Sequence, residues 1–336
     1  VNKLHPLALF STALWLCLPS SAQAEGGKSP QLASPHEVRR FALVIGAENY
    51  DYLEPATNAL NDALEIVKVL RKANFSSIRF LPNPRDEVEI AEYIKNVRDW
   101  TGDANQPAII TFFYAGHGFM SKDRRPYIVP TNARPGHLLE DGVPLSSVLF
   151  DLSFHHAGIS LFLFDACRTG ISESGAKDDS VTPLGPQPSV PKVRAETYIH
   201  FATEEGAPAQ SSSGLANSNN SPFTNELITY FPRPAVSTRV VFDKVHTWVP
   251  IHTGNSQFTI EVLDGVLTNL YMLPSALQRS DDQAAWMKAL VANTGDYVNE
   301  FITEHPGSPY LACALNWHST ADGANTAGET DVCETK

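Results

Sequence analysis

Positive charge is in short supply in this sequence: 25 Lys and Arg stand against 37 Asp and Glu among 336 residues, a formal net charge of −12. Nucleic-acid binding rests on clustered Lys and Arg that neutralise phosphates, so that class of partner is excluded as a default. The same imbalance favours basic ligands electrostatically without naming one. Long apolar runs are missing as well. The run from Leu7 to Leu18 is too short for a comfortable membrane span, and no other segment reads as one. There is no internal repeat, and no zinc pattern. His155-His156 has no acidic or cysteine partner at ligand spacing, so no metal site is expected there. Cysteine is scarce: Cys17, Cys167, Cys313 and Cys333 are all there is.

The remainder is that of an ordinary globular chain, 43% apolar and 18% charged. Its length suits one large α/β domain with an appendage, or two modest domains. Lys3, the apolar run to Leu18 and the small-x-small triplet Ala22-Gln23-Ala24 predict an export leader over residues 1–24. Residues 25–38 read as a linker, and the mature protein as periplasmic or secreted, with no membrane attachment once the leader is gone. Cys17 leaves with the leader. Cys313 and Cys333 lie together near the C-terminus, where an oxidising compartment would permit a disulfide between them. Cys167 is left alone, and an unpaired cysteine in an exported protein asks for a chemical explanation.

Along the chain, short apolar runs alternate with amphipathic stretches. Phe41–Ile45, Ile78–Leu81, Ala108–Phe113 and Ile159–Phe164 read as buried strands. Asn58–Leu70, Arg85–Trp100 and Leu145–Leu152 read as helices between them. Such alternation predicts a mainly parallel sheet with helices on both faces. In sheets of this kind ligands bind beyond the carboxyl ends of the strands. His117 and Cys167 each fall just past the end of a strand, which places both at that edge. Thr169–Arg194 reads as one long exposed loop, followed by a strand at Tyr198–Ala202, a polar loop at Gly206–Asn220 and a helix at Phe223–Phe231. Ala284–Ala314 reads as a helical hairpin turned at Pro306-Gly307.

A thiolate is the reactive form of cysteine, and a neighbouring imidazole raises its fraction or takes the proton during attack. Acyl transfer also needs donors for the developing oxyanion, commonly backbone N–H groups in a tight turn. Gly118, directly after His117, and Cys167 itself are the natural pair. Taken singly, a histidine in a glycine turn or a cysteine at a strand end is as readily structural. Their conjunction at one sheet edge is what draws attention.

Phe113-Tyr114-Ala115-Gly116-His117-Gly118 and Phe164-Asp165-Ala166-Cys167-Arg168 resemble the two catalytic blocks of caspase-like cysteine peptidases, peptidase family C14. In that family the histidine stands about fifty residues upstream of the cysteine, as here. The resemblance runs over residues 39–273, with a helical appendage at 274–336, and is nearer the metacaspase and bacterial orthocaspase branch than animal caspases. It implies a His117–Cys167 dyad, with Gly118 and Cys167 as oxyanion donors. Asp165 stands where animal caspases have Gln, and Asn61-Asp62-Ala63 matches a second metacaspase motif. By that resemblance Asp62 and Asp165 line the pocket for the residue before the scissile bond. Two acids in one pocket call for a cation, so Arg or Lys is the expected occupant.

The chain departs from the branch at Ala115, where Ser is common, and at Ala59, where Cys is often found. Both positions help line the family's pocket. The resemblance also makes Phe201-Ala202-Thr203 the strand edge where substrate docks, with Glu204 and Glu205 read as exposed. It implies no organic cofactor. Some metacaspases need calcium, and Asp178-Asp179 offers a loose site that reads more simply as a solvated turn. Caspase-like enzymes are often cut between the cysteine strand and the next, which makes Lys177, Lys192 and Arg194 candidates for self-cleavage. The expected activity is therefore endopeptidase cleavage after Arg or Lys. A catalytically unused binding module on the same fold, and an envelope cysteine amidase or transpeptidase, stay open as alternatives.

Overall fold

The computed structural model describes residues 39–75, 77–101, 107–154, 157–168, 170–171, 177–178, 196–212, 219–234, 236–264, 270–273, 281–282, 284–286, 288–289, 294–305, 308, 310–311 and 314. The leader, the linker, His155-His156, Lys192, Arg194, Cys313 and Cys333 lie outside the described residues. Elements follow in the order β1 (Arg39–Gly46), α1 (Ala59–Lys72), β2 (Ser77–Pro82), α2 (Glu87–Thr101) and β3 (Pro107–Gly116). A region of short pieces comes next: β4 (Gly118–Met120), β5 (Pro126–Ile128), α3 (Leu138–Asp141) and β6 (Val143–Pro144). Then come α4 (Leu145–Ser153), β7 (Ala157–Ala166), β8 (Gly170–Ile171), β9 (Lys177–Asp178) and β10 (Glu196–Phe201). The described chain ends with α5 (Pro222–Tyr230), α6 (Thr238–His252), β11 (Ile260–Asp264) and α7 (Gly295–Glu304).

Six strands form the main sheet in the order β11-β10-β7-β3-β1-β2. All neighbours run parallel except β10 and β11. Successive side chains of a strand point to opposite faces, and that period divides the core in two. Ala42, Val44, Ile109, Phe113, Ala115, Leu161 and Leu163 face α1, α5 and α6. Leu43, Ile45, Phe112, Tyr114, Phe162 and Phe164 face α2 and α4. The mainly parallel sheet with helices on both faces is thus present, and the four expected strands are all in it.

Helix α1 buries Ala59, Asp62, Ala63, Ile66, Val67 and Leu70, an i, i+3, i+4 stripe that includes one acid. It lies close on the end of β1: a Cβ on Gly46 would sit 2.9 Å from Ala63 Cβ and 3.0 Å from the Ala59 carbonyl oxygen. Glycine at this position lets the first turn of α1 reach the sheet edge. Glu48 covers that turn, its Oε2 accepting from the Leu60 N–H at 3.0 Å.

Three features differ from the sequence reading. A second sheet of five short strands, ordered β6-β5-β4-β8-β9, has strands too short to show periodicity. Helix α6 and strand β11, which follow α5, carry no expectation from the sequence. The expected loop Thr169–Arg194 is partly sheet: β8 and β9 pair antiparallel, Gly170 with Asp178 and Ile171 with Lys177, and β8 joins β4. The main chain of Lys177 is thereby engaged in a ladder instead of lying in a free loop.

In the C-terminal part α7 and residues 281–282, 284–286 and 288–289 are helical. Trp286, Val298, Phe301 and Tyr310 make a small core of their own, while Leu311 joins the larger core under α1 and α5. Among the described residues no helix is long and apolar enough to cross a membrane.

Candidate active site

Strand register brings His117 and Cys167 to the same sheet edge. In the β3–β7 pairing Ala115 lies opposite Asp165 and Gly116 opposite Ala166. His117 and Cys167 are the next residue of each chain. Neighbouring strands run about 4.8 Å apart, so both emerge side by side at the carboxyl edge. Both line one cavity of about 210 Å³ with Ala59, Asp62, Ala115, Asp165 and Ser221.

His117 is held from several sides. Its Nε2 lies 2.7 Å from the Glu54 carbonyl oxygen. A carbonyl only accepts, so in the neutral ring Nε2 carries the proton. The His117 N–H donates to Tyr50 Oη at 2.9 Å, and Tyr114 Oη donates to the His117 carbonyl at 2.7 Å. The Tyr50 ring packs on the imidazole at 4.5 Å between centroids. Burial pushes the Tyr50 hydroxyl far above its ordinary range, so it stays a neutral hydrogen-bonding group. The loop bearing Glu54 is anchored by Asn83, whose Oδ1 accepts the N–H groups of Glu48 and Asn49 at 2.9 and 3.0 Å.

Cys167 is a free thiol and partly exposed. The Ala209 N–H donates to its Sγ at 3.3 Å. Gly118 lies directly on its backbone: a Cβ there would meet the Cys167 carbonyl oxygen at 2.7 Å and the Tyr127 carbonyl oxygen at 3.2 Å. Only glycine lets β4 come this near the Cys167 turn.

Asp62 and Asp165 are only 3% and 7% exposed, so neither is a solvated surface carboxylate. Residues 161, 163 and 165 share a face of β7, which turns Asp165 toward α1 and α5. Burial pushes the Asp62 carboxyl well up, and the Asp165 charge pushes it further; the Ser221 N–H opposes. That N–H donates to Asp62 Oδ1 at 3.1 Å. Burial also raises Asp165, against the hydroxyls of Ser221 and Thr224. Both hydroxyls donate to its Oδ2, Thr224 Oγ1 at 2.6 Å. Burial thus pushes both carboxyls above their ordinary value.

Most site residues named from the sequence meet at this place: His117, Cys167, Gly118, Asp62, Asp165, Ala59 and Ala115. Ala202 does not. It is fully buried, its N–H donating to the Phe164 carbonyl at 2.8 Å and its carbonyl accepting from Gln257 Nε2 at 2.8 Å. Phe201 is already paired to both neighbouring strands, so neither it nor Ala202 offers a free edge. The cavity is lined instead by Ala209, Gln210 and Ser211 further on. Glu205 is not an exposed acid either, since Arg124 grips it through two bonds of 2.6 and 2.5 Å. Lys177 is ladder-paired, and the carboxylate of Asp178 and all of Asp179 lie outside the described residues.

The sequence reading missed Glu54, Tyr50, Ser221, Thr224 and Gln257. A backbone carbonyl such as that of Glu54 leaves no mark on side-chain identity. For Ser221 the trace was a Ser-Pro helix start, a capping signal that says nothing of what the hydroxyl donates to.

Over residues 39–265 the chain matches the caspase domain, Peptidase_C14. It belongs to that family. Caspase-domain proteins are cysteine peptidases, hydrolases whose substrate is polypeptide. The fold of this caspase domain is shared by the protein GSU0716 from Geobacter sulfurreducens, with a TM-score of 0.50, 14% identity and coverage of 68% of this chain and 94% of that one. Caspase-1 from Spodoptera frugiperda matches at a TM-score of 0.46 with 17% identity, over 71% of this chain and 94% of its own. No curated protein matches the sequence significantly.

Proposed function

We propose that this caspase domain is a cysteine endopeptidase of the metacaspase-like kind that cleaves after Arg or Lys, using Cys167 as nucleophile and His117 as base. The observation that carries the specificity is the pair of buried acids, Asp62 and Asp165, in the same cavity as Cys167. Buried carboxylates without a cation are costly, and a guanidinium or ammonium satisfies both at once. On the reading of residues 1–24 as a leader, the enzyme acts in the periplasm or outside the cell.

Nδ1 of His117 takes the thiol proton as Sγ attacks the carbonyl carbon of the scissile bond. The N–H groups of Gly118 and Cys167 hold the oxyanion of the tetrahedral intermediate. The imidazolium then protonates the leaving amine, the C–N bond breaks, and a thioester to Cys167 remains. Water, deprotonated by the same imidazole, releases the acid and restores the thiol.

A fluorogenic peptide ending in Arg tests the reading. Wild type is expected to turn it over and Cys167→Ala to be inactive, with no cleavage of the Asp-ended analogue. Preference for the Asp-ended peptide overturns the pocket assignment. Peptide profiling that finds amide exchange without hydrolysis favours the envelope transpeptidase instead.

A further inference from the structure

The two acids are served by one helix end. Ser221 precedes α5 as its N-cap, and its Oγ accepts from the Thr224 N–H at 2.9 Å. The same Oγ donates to Asp165 Oδ2, as does Thr224 Oγ1 one turn on. The Ser221 N–H meanwhile donates to Asp62. One short stretch of chain thus bridges both carboxylates. The neighbouring Ala59 and Ala115, which also line the cavity, have no side-chain donor to offer.

This stretch is itself tied down. Asn61 Nδ2 donates to the Asn219 carbonyl at 3.1 Å and to Asn220 Oδ1 at 2.6 Å, fastening residues 219–220 to α1. A hydroxyl that accepts from a helix N-terminus is a stronger donor in turn, and the positive end of α5 favours a negative partner. Both hydroxyls converge on Oδ2 of Asp165, and the Thr224 N–H adds a further donor to the same carboxylate.

We propose that Ser221 and Thr224 are specificity-determining positioning residues: their hydroxyls hold Asp165 as the fixed anion of the cavity for the incoming cation. The proposal rests on the basic-pocket reading above and names what sets that pocket's charge. Asp62, next to Glu48, is then the carboxyl that carries the proton in the empty cavity and gives it up when Arg or Lys enters. The other titratable groups lining the cavity are His117 and Cys167.

Thr224 gives the clean test, because Ser221 also caps α5 and its loss would weaken the helix. Thr224→Val removes the hydroxyl at nearly constant shape, and Thr224→Ser restores it. Kinetics are read on matched peptides ending in Arg and in citrulline, its neutral isostere. Wild type is expected to favour Arg strongly. In Thr224→Val, KM for the Arg peptide rises about tenfold, the loss of one charge-assisted bond, while kcat falls far less. The Arg-to-citrulline ratio shrinks, and the acid limb of 1/KM against pH moves to higher pH as Asp165 loses a donor. Thr224→Ser returns all three toward wild type. Unchanged KM and ratio in a folded Thr224→Val overturn the inference alone. A loss confined to kcat, equal on both peptides, overturns it as well. Wild type that does not distinguish Arg from citrulline overturns the pocket reading itself, and this inference with it.

Discussion

At Asp62 an acid occupies a position that the helix pattern reserves for the core. Its carboxyl is raised in the folded protein above the ordinary value of about 3.8, by burial first and then by Asp165. The folded state thus holds a proton that the unfolded chain gives up. The stability this contributes is complete below about pH 4 and is lost as pH rises through the folded-state value. Asp62→Asn keeps the acceptor for the Ser221 N–H and removes the charge. The variant is expected to melt above wild type at pH 8, with an advantage on the order of 1–2 kcal/mol that closes toward pH 4. Its kcat/KM on an Arg-ended peptide should meanwhile fall at least about tenfold. Thermal melts at the two pH values and one kinetic series check both. An Asp62→Asn protein that is less stable at pH 8 and still selects Arg would mean that the acid is structural.

Among the elements, β4 decides whether the site is assembled. It is three residues long, yet it puts Gly118 against the Cys167 turn, with no room for a side chain. Gly118→Ala must displace β4 or the Cys167 turn by several tenths of an ångström. Removing an oxyanion donor outright costs roughly 100- to 1000-fold in kcat, so partial displacement is expected to cost at least about tenfold. KM for an Arg peptide should change little, because the acids belong to α1 and β7. Steady-state kinetics on a folded Gly118→Ala protein separate the two parameters; a KM effect without a kcat effect would remove Gly118 from the oxyanion assignment.

For the whole molecule, acid stability turns on His200, next to the end of β10. It is fully buried between the edges of Phe223 and Phe242, at 5.1 and 4.5 Å, and neither ring nitrogen has a hydrogen-bond partner among the described residues. Burial, helped by the charges of His246 and Arg239, pushes it down to about 3. The unfolded chain takes up this proton near pH 6.5 and the folded one does not. Stability is therefore lost as pH falls from about 6.5 toward 3, by up to about 1.4 kcal/mol per pH unit. Denaturant titrations between pH 7 and 4 should show wild type losing more stability than His200→Leu, whatever the substitution costs at pH 7. Equal pH slopes for the two proteins would place the acid sensitivity elsewhere.

The parallel sheet, its flanking helices and the place of His117 and Cys167 were legible in the sequence, because buried strands and amphipathic helices write their periods into consecutive residues. The Asn61-Asp62-Ala63 and Asp165 motifs pointed to the pocket only through the family resemblance, since an acid on a helix face reads by itself as solvated. The short strands β4 to β6, β8 and β9 hold too few residues to carry a period, and β11 is placed only by pairing with β10. What served the site from afar was decided by the tertiary structure alone. The Glu54 carbonyl on His117, the Ala209 N–H on Cys167 and the α5 hydroxyls on Asp165 join residues from 42 to 63 positions apart. Ala202 shows the same rule from the other side: its motif suggested a docking edge, but a backbone bond to Phe164 and the distant Gln257 side chain occupy its N–H and carbonyl. Backbone donors and distant hydroxyls act through position, and position is set by the register of strands and the packing of helices, which no local run of residues encodes.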